Sequence, residues 1–267
     1  MSSGGNLRSK IRADELLLKL ALVETRSKAQ SFILQGWVEF RSIISKDLLW
    51  RKVEKAGQAL VESETEIRLT EEALPKDVGR GAQKLRGAFA HWKQIPLQGL
   101  RGLDIGSSTG GFTQVLLEYG VSVVFAMDVG THQLHERLRN DPRVIVFEQT
   151  HVLKVDEHFW KEKKIEASFD IIVTDVSFIS LTKIIPHAAQ WLKVKGSWVL
   201  LIKPQFEVGP QKAPQGIVRE EKYRLEAVTM IRNVVEETKG LRWKEVIQSP
   251  LKGADGNVEF LAWIEKT

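Results

Sequence analysis

Asp175 closes the apolar run F-D-I-I-V-T-D, Lys203 closes S-W-V-L-L-I-K, and Glu259 lies near the start of V-E-F-L-A-W-I. If the first two runs are parallel strands, both charges fall at the carboxyl edge of a sheet, where α/β folds bind ligands. If the third runs antiparallel, its start brings Glu259 to the same edge. Asp104, in L-D-I-G, belongs there too, and Lys84, on the helix before the first strand, can fold over it. Any one of these charges reads most simply as a solvated strand end. Their convergence by topology points instead to a site, and lysines oriented by carboxylates can hold and move a proton.

A glycine-rich turn borders that edge. R-G-L-D-I-G-S-S-T-G-G-F-T-Q-V-L-L (101–117) reads as a short strand, a turn from Gly106 to Gly111, and an amphipathic helix from Phe112. Gly106, Ser107, Ser108, Thr109, Gly110, Gly111 and Phe112 thus form a helix entrance whose backbone N–H groups are free for a ligand, with Asp104 as a nearby acid. The spacing does not fit G-x-G-x-x-G, which argues against a nicotinamide-dependent oxidoreductase. D-x-G followed by small residues resembles motif I of the S-adenosylmethionine-dependent methyltransferases. Asp128, after V-V-F-A-M, is placed to accept hydrogen bonds from the ribose hydroxyls of such a cofactor, with Val129 beside it.

These residues need a sheet to position them. Strands are predicted at 102–105, 122–127, 144–147, 169–174, 197–202, near 243–247 and at 258–264, with helices between most of them, notably 182–193 and 219–239. This alternation predicts a doubly wound α/β sheet. The last two strands are joined only by Pro250 to Gly256, too short for a helical crossover, so the seventh is predicted antiparallel. The Pro- and Gly-rich stretch 204–218 directly follows Lys203 and reads as a mobile substrate-side loop.

The first quarter differs from the rest. Residues 1–60 hold 11 Lys/Arg against 6 Asp/Glu, whereas the remainder balances at 28 against 28, so the net charge of +5 sits in a module suited to a polyanion. Leu16, Leu17 and Leu20 give one helical face; a second helix is capped by Thr25, turns Ala29, Phe32 and Ile33 inward and stops at Gly36; Trp37 to Phe40 alternate like a strand. The pattern R-x-D-x-L-L, S/T-R-x-x-A, I-x-x-G-x-V, present as Arg12, Asp14, Leu16, Leu17, Thr25, Arg26, Ala29, Ile33, Gly36 and Val38, resembles the αL-type RNA-binding domain. The resemblance implies RNA contacts from Arg12, Arg26 and Lys28. Proline and glycine between Leu74 and Gly81 mark a boundary, giving an RNA-binding domain at 1–70, a linker at 71–82 and a catalytic domain at 83–267. With no cysteine, disulfides, thiolate metal sites and cysteine nucleophiles are excluded. No apolar run is long enough to span a bilayer and MSSGGNLRSK lacks the core of a signal peptide, so a cytoplasmic protein without membrane partners is expected.

Lys84, Asp175, Lys203 and Glu259, in that order, resemble the tetrad of the FtsJ-type RNA 2′-O-methyltransferases. The whole chain is similar to the TlyA (hemolysin A) family through G-R-G-A-Q-K-L (79–85), L-D-I-G-S-S-T-G-G-F-T (103–113), D-V-G-T-H-Q-L (128–134), D-V-S-F-I-S-L (175–181), L-I-K-P-Q-F-E (201–207) and G-N-V-E-F-L (256–261). It departs from the family pattern at Gly79–Ala82, at Glu148–His151 and at Val258. The resemblance implies a Rossmann-like seven-stranded class I methyltransferase sheet, S-adenosylmethionine as cofactor, ribosomal RNA or ribosomal subunits as partner, no metal, and a monomer. It also implies Lys203 as the base for a ribose 2′-hydroxyl, its basicity tuned by Lys84 nearby, with the carboxylates orienting both lysines. Phe178 is available to stack on a base. A non-catalytic RNA-binding protein and a membrane-lytic hemolysin are the competing functions.

Overall fold

The computed structural model describes residues 9–45, 48–70, 73 and 76–267, which fall into two compact units, 1–76 and 77–267. Leu74 and Pro75 of the expected boundary, and the first eight residues, lie outside the described residues.

In the first unit, β1 (Lys10–Arg12) leads into α1 (Ala13–Lys19) and α2 (Arg26–Leu34), followed by β2 (Val38–Ser42), β3 (Arg51–Lys52), β4 (Ala59–Val61) and β5 (Thr65–Leu69). Thr25 caps α2, its hydroxyl accepting from the Lys28 N–H at 3.2 Å. β1 pairs with β4, and β2 lies between β3 and β5, all antiparallel. Ala13, Leu16, Leu17, Ala29, Ile33, Val38, Leu60 and Ile67 form a common core. Leu20 does not join it: α1 stops at Lys19, and Leu20, one residue beyond, is 51% exposed.

The second unit begins with α3 (Gly81–His91), so the last two residues of the expected linker are already helical. It continues with β6 (Arg101–Ile105), α4 (Gly111–Glu118), β7 (Val123–Met127), α5 (Glu136–Arg139), β8 (Val144–Phe147), α6 (Glu157–Glu162), β9 (Phe169–Thr174), α7 (Leu181–Ala188), β10 (Leu192–Ile202), α8 (Glu221–Glu237), β11 (Leu241–Gln248) and β12 (Phe260–Lys266). The sheet order is β11-β12-β10-β9-β6-β7-β8. β6 to β10 pair in parallel, and β12 inserts antiparallel between β10 and β11. The seventh strand is therefore antiparallel as predicted, although its ladder starts at Phe260, one residue after Glu259. The helix expected over 182–193 ends at Ala188, because Leu192 is already paired with Phe169 in the sheet.

Both faces of the sheet are covered, which explains the near-continuous apolar runs of its central strands. Phe169 and Ile172 of β9 pack with Trp160, Trp191 and Trp198 on one face, while Ile171 and Val173 pack with Leu116, Val199 and Leu201 on the other. The buried indole N–H of Trp198 donates to Thr174 Oγ1 at 2.9 Å, whereas that of Trp160 has no hydrogen-bond partner among the described residues. Connections from β6 run towards β8 on one side, and those from β9 run towards β10 on the other. This reversal between β6 and β9 is a topological switch point, where the carboxyl ends of adjacent strands leave a crevice.

Candidate active site

A cavity of about 490 Å³ opens at that switch point. From the expected cofactor residues it is lined by Gly106, Ser108, Asp128 and Val129, and from the far side by Asp175 to Ile179. Gly106 has φ +84°, and a Cβ there would collide with the carbonyl oxygen of Asp175, so the two strand ends touch at a position only glycine fits. Ile105, Met127, Gln133, Thr150, His151 and Val152 complete the wall and were not expected as site residues. Their signal was positional, since Thr150 to Val152 follow β8 at the same sheet edge.

The loop N–H groups are less free than the sequence suggested. Gly106 and Ser107 donate to the Met127 carbonyl at 2.8 and 3.1 Å, and Gly110 donates to the Ser107 carbonyl at 2.7 Å. Ser108 N–H donates to Asp128 Oδ2 at 2.8 Å, and Gly130 N–H donates to Oδ1 at 2.7 Å. Asp128 thus holds the glycine-rich loop with one oxygen and its own following turn with the other. Phe112 is buried, and a Cβ on Gly111 would lie 2.7 Å from the Ala82 nitrogen, so α3 and α4 meet backbone to backbone. Ser107, Thr109, Gly110, Gly111 and Phe112 are absent from the cavity lining.

Asp104 is fully buried, with Oδ2 accepting from Thr113 Oγ1 at 2.6 Å and Oδ1 without a partner among the described residues. Burial, above all, and the nearby carboxylates of Asp175 and Asp128 push its pKa up to about 7. Asp128 and Asp175 line the cavity and Asp104 lies buried close to both. The Oδ1 atoms of Asp104 and Asp175, without hydrogen-bond partners among the described residues, add to a negative site that suits a cationic ligand such as a sulfonium amino acid. The sign for stability follows from linkage. Unfolded Asp titrates near pH ~4, so between there and pH 7 the folded protein binds more protons, and stability falls as pH rises. Full ionisation costs on the order of 4 kcal/mol from this shift. Denaturant titrations of the ligand-free protein at pH 5 and pH 8 should therefore show wild type losing a few kcal/mol that Asp104→Asn retains. Parallel pH dependence in the two proteins would contradict the assignment.

The tetrad resolves into two ion pairs. Lys84 Nζ donates to Glu259 Oε2 at 2.6 Å, with side chains only 9% and 2% exposed. Lys203 Nζ lies 2.6 Å from Asp175 Oδ1, with side chains 13% and 21% exposed, and donates to Ser177 Oγ at 3.0 Å. Each lysine thus has its own carboxylate. Phe178, 92% exposed, borders the cavity and makes a ring contact with Phe206 at 5.2 Å.

Residues 78–266 match the FtsJ-like methyltransferase family. The chain belongs to that family. It is similar to Hemolysin A of Brachyspira hyodysenteriae, at 36% identity over 255 residues covering 94% of this chain and 98% of that protein. It is equally similar to the 16S/23S rRNA (cytidine-2′-O)-methyltransferase TlyA of Mycobacterium tuberculosis, 36% identical over 256 residues, covering 95% and 89%. Among solved structures, a Streptococcus thermophilus chain provisionally described as a hemolysin superposes with a TM-score of 0.66 at 36% identity, covering 97% and 90%.

Beyond the ion pairs, the FtsJ-like domain holds its post-Lys203 segment tightly. Pro204–Phe206 and Pro214–Gly216 are 3₁₀ turns, and Val208, Ala213 and Val218 are buried. The buried Asn257 side chain accepts from Val218 N–H at 2.9 Å and donates to the Gly216 carbonyl at 2.7 Å. The loop expected to be mobile is pinned, because its apolar residues reach the core. Among the described residues, no group of three or more His, Asp or Glu side chains is arranged to hold a metal ion.

In the first unit, the expected RNA-binding residues serve one another's neighbours. Asp14, fully buried, accepts from Arg12 Nε and Nη2 at 2.9 and 3.0 Å, from Arg26 Nε at 3.1 Å and from Gln30 Nε2 at 3.1 Å. Hydrogen bonds from Arg12 lead in holding its carboxyl well below the usual range. Lys28 Nζ pairs with Glu24 at 3.4 Å on the surface. Arg12 and Arg26 are thus drawn together by an internal acid, and Lys28 stands apart from them.

Proposed function

We propose that this chain transfers a methyl group from S-adenosylmethionine to a ribose 2′-hydroxyl of ribosomal RNA. The observation that carries the reading is Lys203, ion-paired with Asp175 at 2.6 Å at the switch point that Gly106 and Asp128 line. The names of the relatives, which specify cytidine-2′-O methylation of rRNA, support the same substrate class. Gly106, Ser108, Asp128 and Val129 hold the cofactor, with Asp104 complementing its positive charge. Bound there, S-adenosylmethionine offers a methyl group on a sulfonium, so the protein has to orient and deprotonate the hydroxyl. Lys203 Nζ, in its neutral form, takes the 2′-OH proton as the oxygen gains the methyl group, the broken carbon–sulfur bond leaving its electron pair on a neutral thioether. Asp175 holds Lys203, and the Lys84–Glu259 pair braces the other side of the tetrad. Phe178 stacks on the target base.

A membrane-lytic reading, suggested by the hemolysin name of one relative, is less well supported. Among the described residues, no helix is long and apolar enough to cross a membrane. The discriminating experiment supplies tritiated S-adenosylmethionine and purified ribosomal subunits from a strain lacking any homologue. Label in rRNA supports the proposal; no label, with RNA still bound, favours a non-catalytic binder.

The first unit, which over residues 1–76 holds 13 Lys/Arg against 11 Asp/Glu, is assigned to RNA binding through its Arg12, Arg26 and Lys28. Truncation should follow its structural limit at Lys76, since a cut at residue 60 would sever β4 and strand β5 from its partner β2. Removing 1–76 should weaken rRNA affinity and flatten its salt dependence, because fewer phosphate contacts release fewer counterions. Cofactor affinity should stay within about twofold, as additivity predicts for a separate unit. An unchanged salt slope would show that the first unit makes no phosphate contacts.

A further inference from the structure

We propose that Ser177 is a positioning residue for Lys203, setting the direction of its amine rather than its charge. The inference rests on the reading of Lys203 as the base. The two contacts of Nζ differ in kind. The approach to Asp175 Oδ1 is close, at 2.6 Å, yet that oxygen has no hydrogen-bond partner of acceptable geometry. It fixes proximity and charge without fixing direction. The bond to Ser177 Oγ, at 3.0 Å, is the aligned one described for this amine.

Direction matters for an amine that must accept a proton. Neutral Nζ carries two hydrogens and one lone pair in a tetrahedral arrangement. With one hydrogen held on Ser177 Oγ, the lone pair of Nζ is confined to the two remaining tetrahedral directions. Ser177 lines the cavity assigned to the cofactor, so its bond to Lys203 lies at the border of that cavity. Without it, Nζ turns about its last carbon and the lone pair is productive less often.

The surroundings hold Ser177 in place. Phe178, next in the chain, has φ +63°, a left-handed conformation that a side-chain-bearing residue keeps only where its neighbours impose it. Glu207, four residues after Lys203, ties the two turns together, accepting from Ser180 Oγ at 2.5 Å and Leu181 N–H at 3.1 Å. The Phe178–Phe206 ring contact is a second tie between them. Ser177 and Lys203 therefore face each other from turns clamped together on both sides.

The test compares Ser177→Thr, Ser177→Val and Ser177→Ala in the full-length protein, by single-turnover transfer of tritiated methyl to ribosomal subunits at saturating cofactor. Thr and Val have the same shape and differ in the hydroxyl. Val and Ala should both slow transfer about tenfold, the effect of one lost hydrogen bond. Thr should restore the rate to within about threefold of wild type, and the isosteric Thr and Val variants should match one another in cofactor affinity by calorimetry. In a Lys203→Ala background, adding Ser177→Val should cause no further loss. If Thr and Val behave alike, Ser177 acts through shape and the inference is overturned. If Lys203→Ala itself leaves transfer intact, the reading of Lys203 fails instead, and the two failures are distinct.

Discussion

Lys203→Ala should eliminate methyl transfer while cofactor and rRNA still bind. Removing a general base typically costs about 10²–10⁴-fold in rate, and Lys203 has no neighbour in its contacts that could replace it, since Lys84 is held by Glu259 at 2.6 Å. Lys203→Arg should not restore the rate, because a guanidinium stays protonated at any working pH and cannot accept the 2′-OH proton. Charge is preserved in that variant, so failure to rescue separates proton transfer from simple electrostatic support. Single-turnover rates, with filter binding of rRNA and calorimetry of the cofactor, read the two effects independently. Activity in Lys203→Arg close to wild type would mean that the lysine is needed for its charge alone.

Lys84→Ala should behave differently, as a stability variant first. Its partner Glu259 is 2% exposed, so truncating the lysine leaves a carboxylate buried without a counter-ion. Breaking a buried pair from one side typically costs about 3–5 kcal/mol, a large share of the total stability of a domain. Glu259→Ala should cost a similar amount for the mirror-image reason. The tight turn around the pair leaves little room to relax, since a Cβ on Gly253 would lie 2.7 Å from Glu259 Oε1. Urea denaturation should thus rank Lys84→Ala well below Lys203→Ala, whose partner Asp175 keeps some solvent contact. Equal midpoints for the two variants would show that the burial difference between the pairs has no energetic consequence.

Local signals carried the fold. Strand runs such as F-D-I-I-V-T are apolar because both sheet faces are covered, and the short link before β12 dictated its reversed direction. Strand ends then located Asp175, Lys203 and Glu259 at one edge. Which lysine meets which carboxylate was not legible, because Lys84 and Glu259 are 175 residues apart and nothing local encodes their contact. The glycine loop was read as open because its hydrogen-bond partner, the Met127 carbonyl, belongs to the next strand. The 204–218 segment looked mobile for the same reason: Asn257, which pins it, lies about forty residues downstream. Arg12 and Arg26 looked like free basic residues, since a buried Asp14 between them is visible only once α1 and α2 pack.

The central claim is that the methyl group goes to a ribose 2′-oxygen, and alkaline cleavage tests it most directly. Under alkali a 2′-oxygen attacks the neighbouring phosphate, and a methylated oxygen cannot. rRNA labelled by the wild-type protein with tritiated methyl should yield its radioactivity as an alkali-resistant dinucleotide, with a gap at one position in the cleavage ladder. Radioactivity recovered in single nucleotides, with an unbroken ladder, would place the methyl on a base and contradict the account.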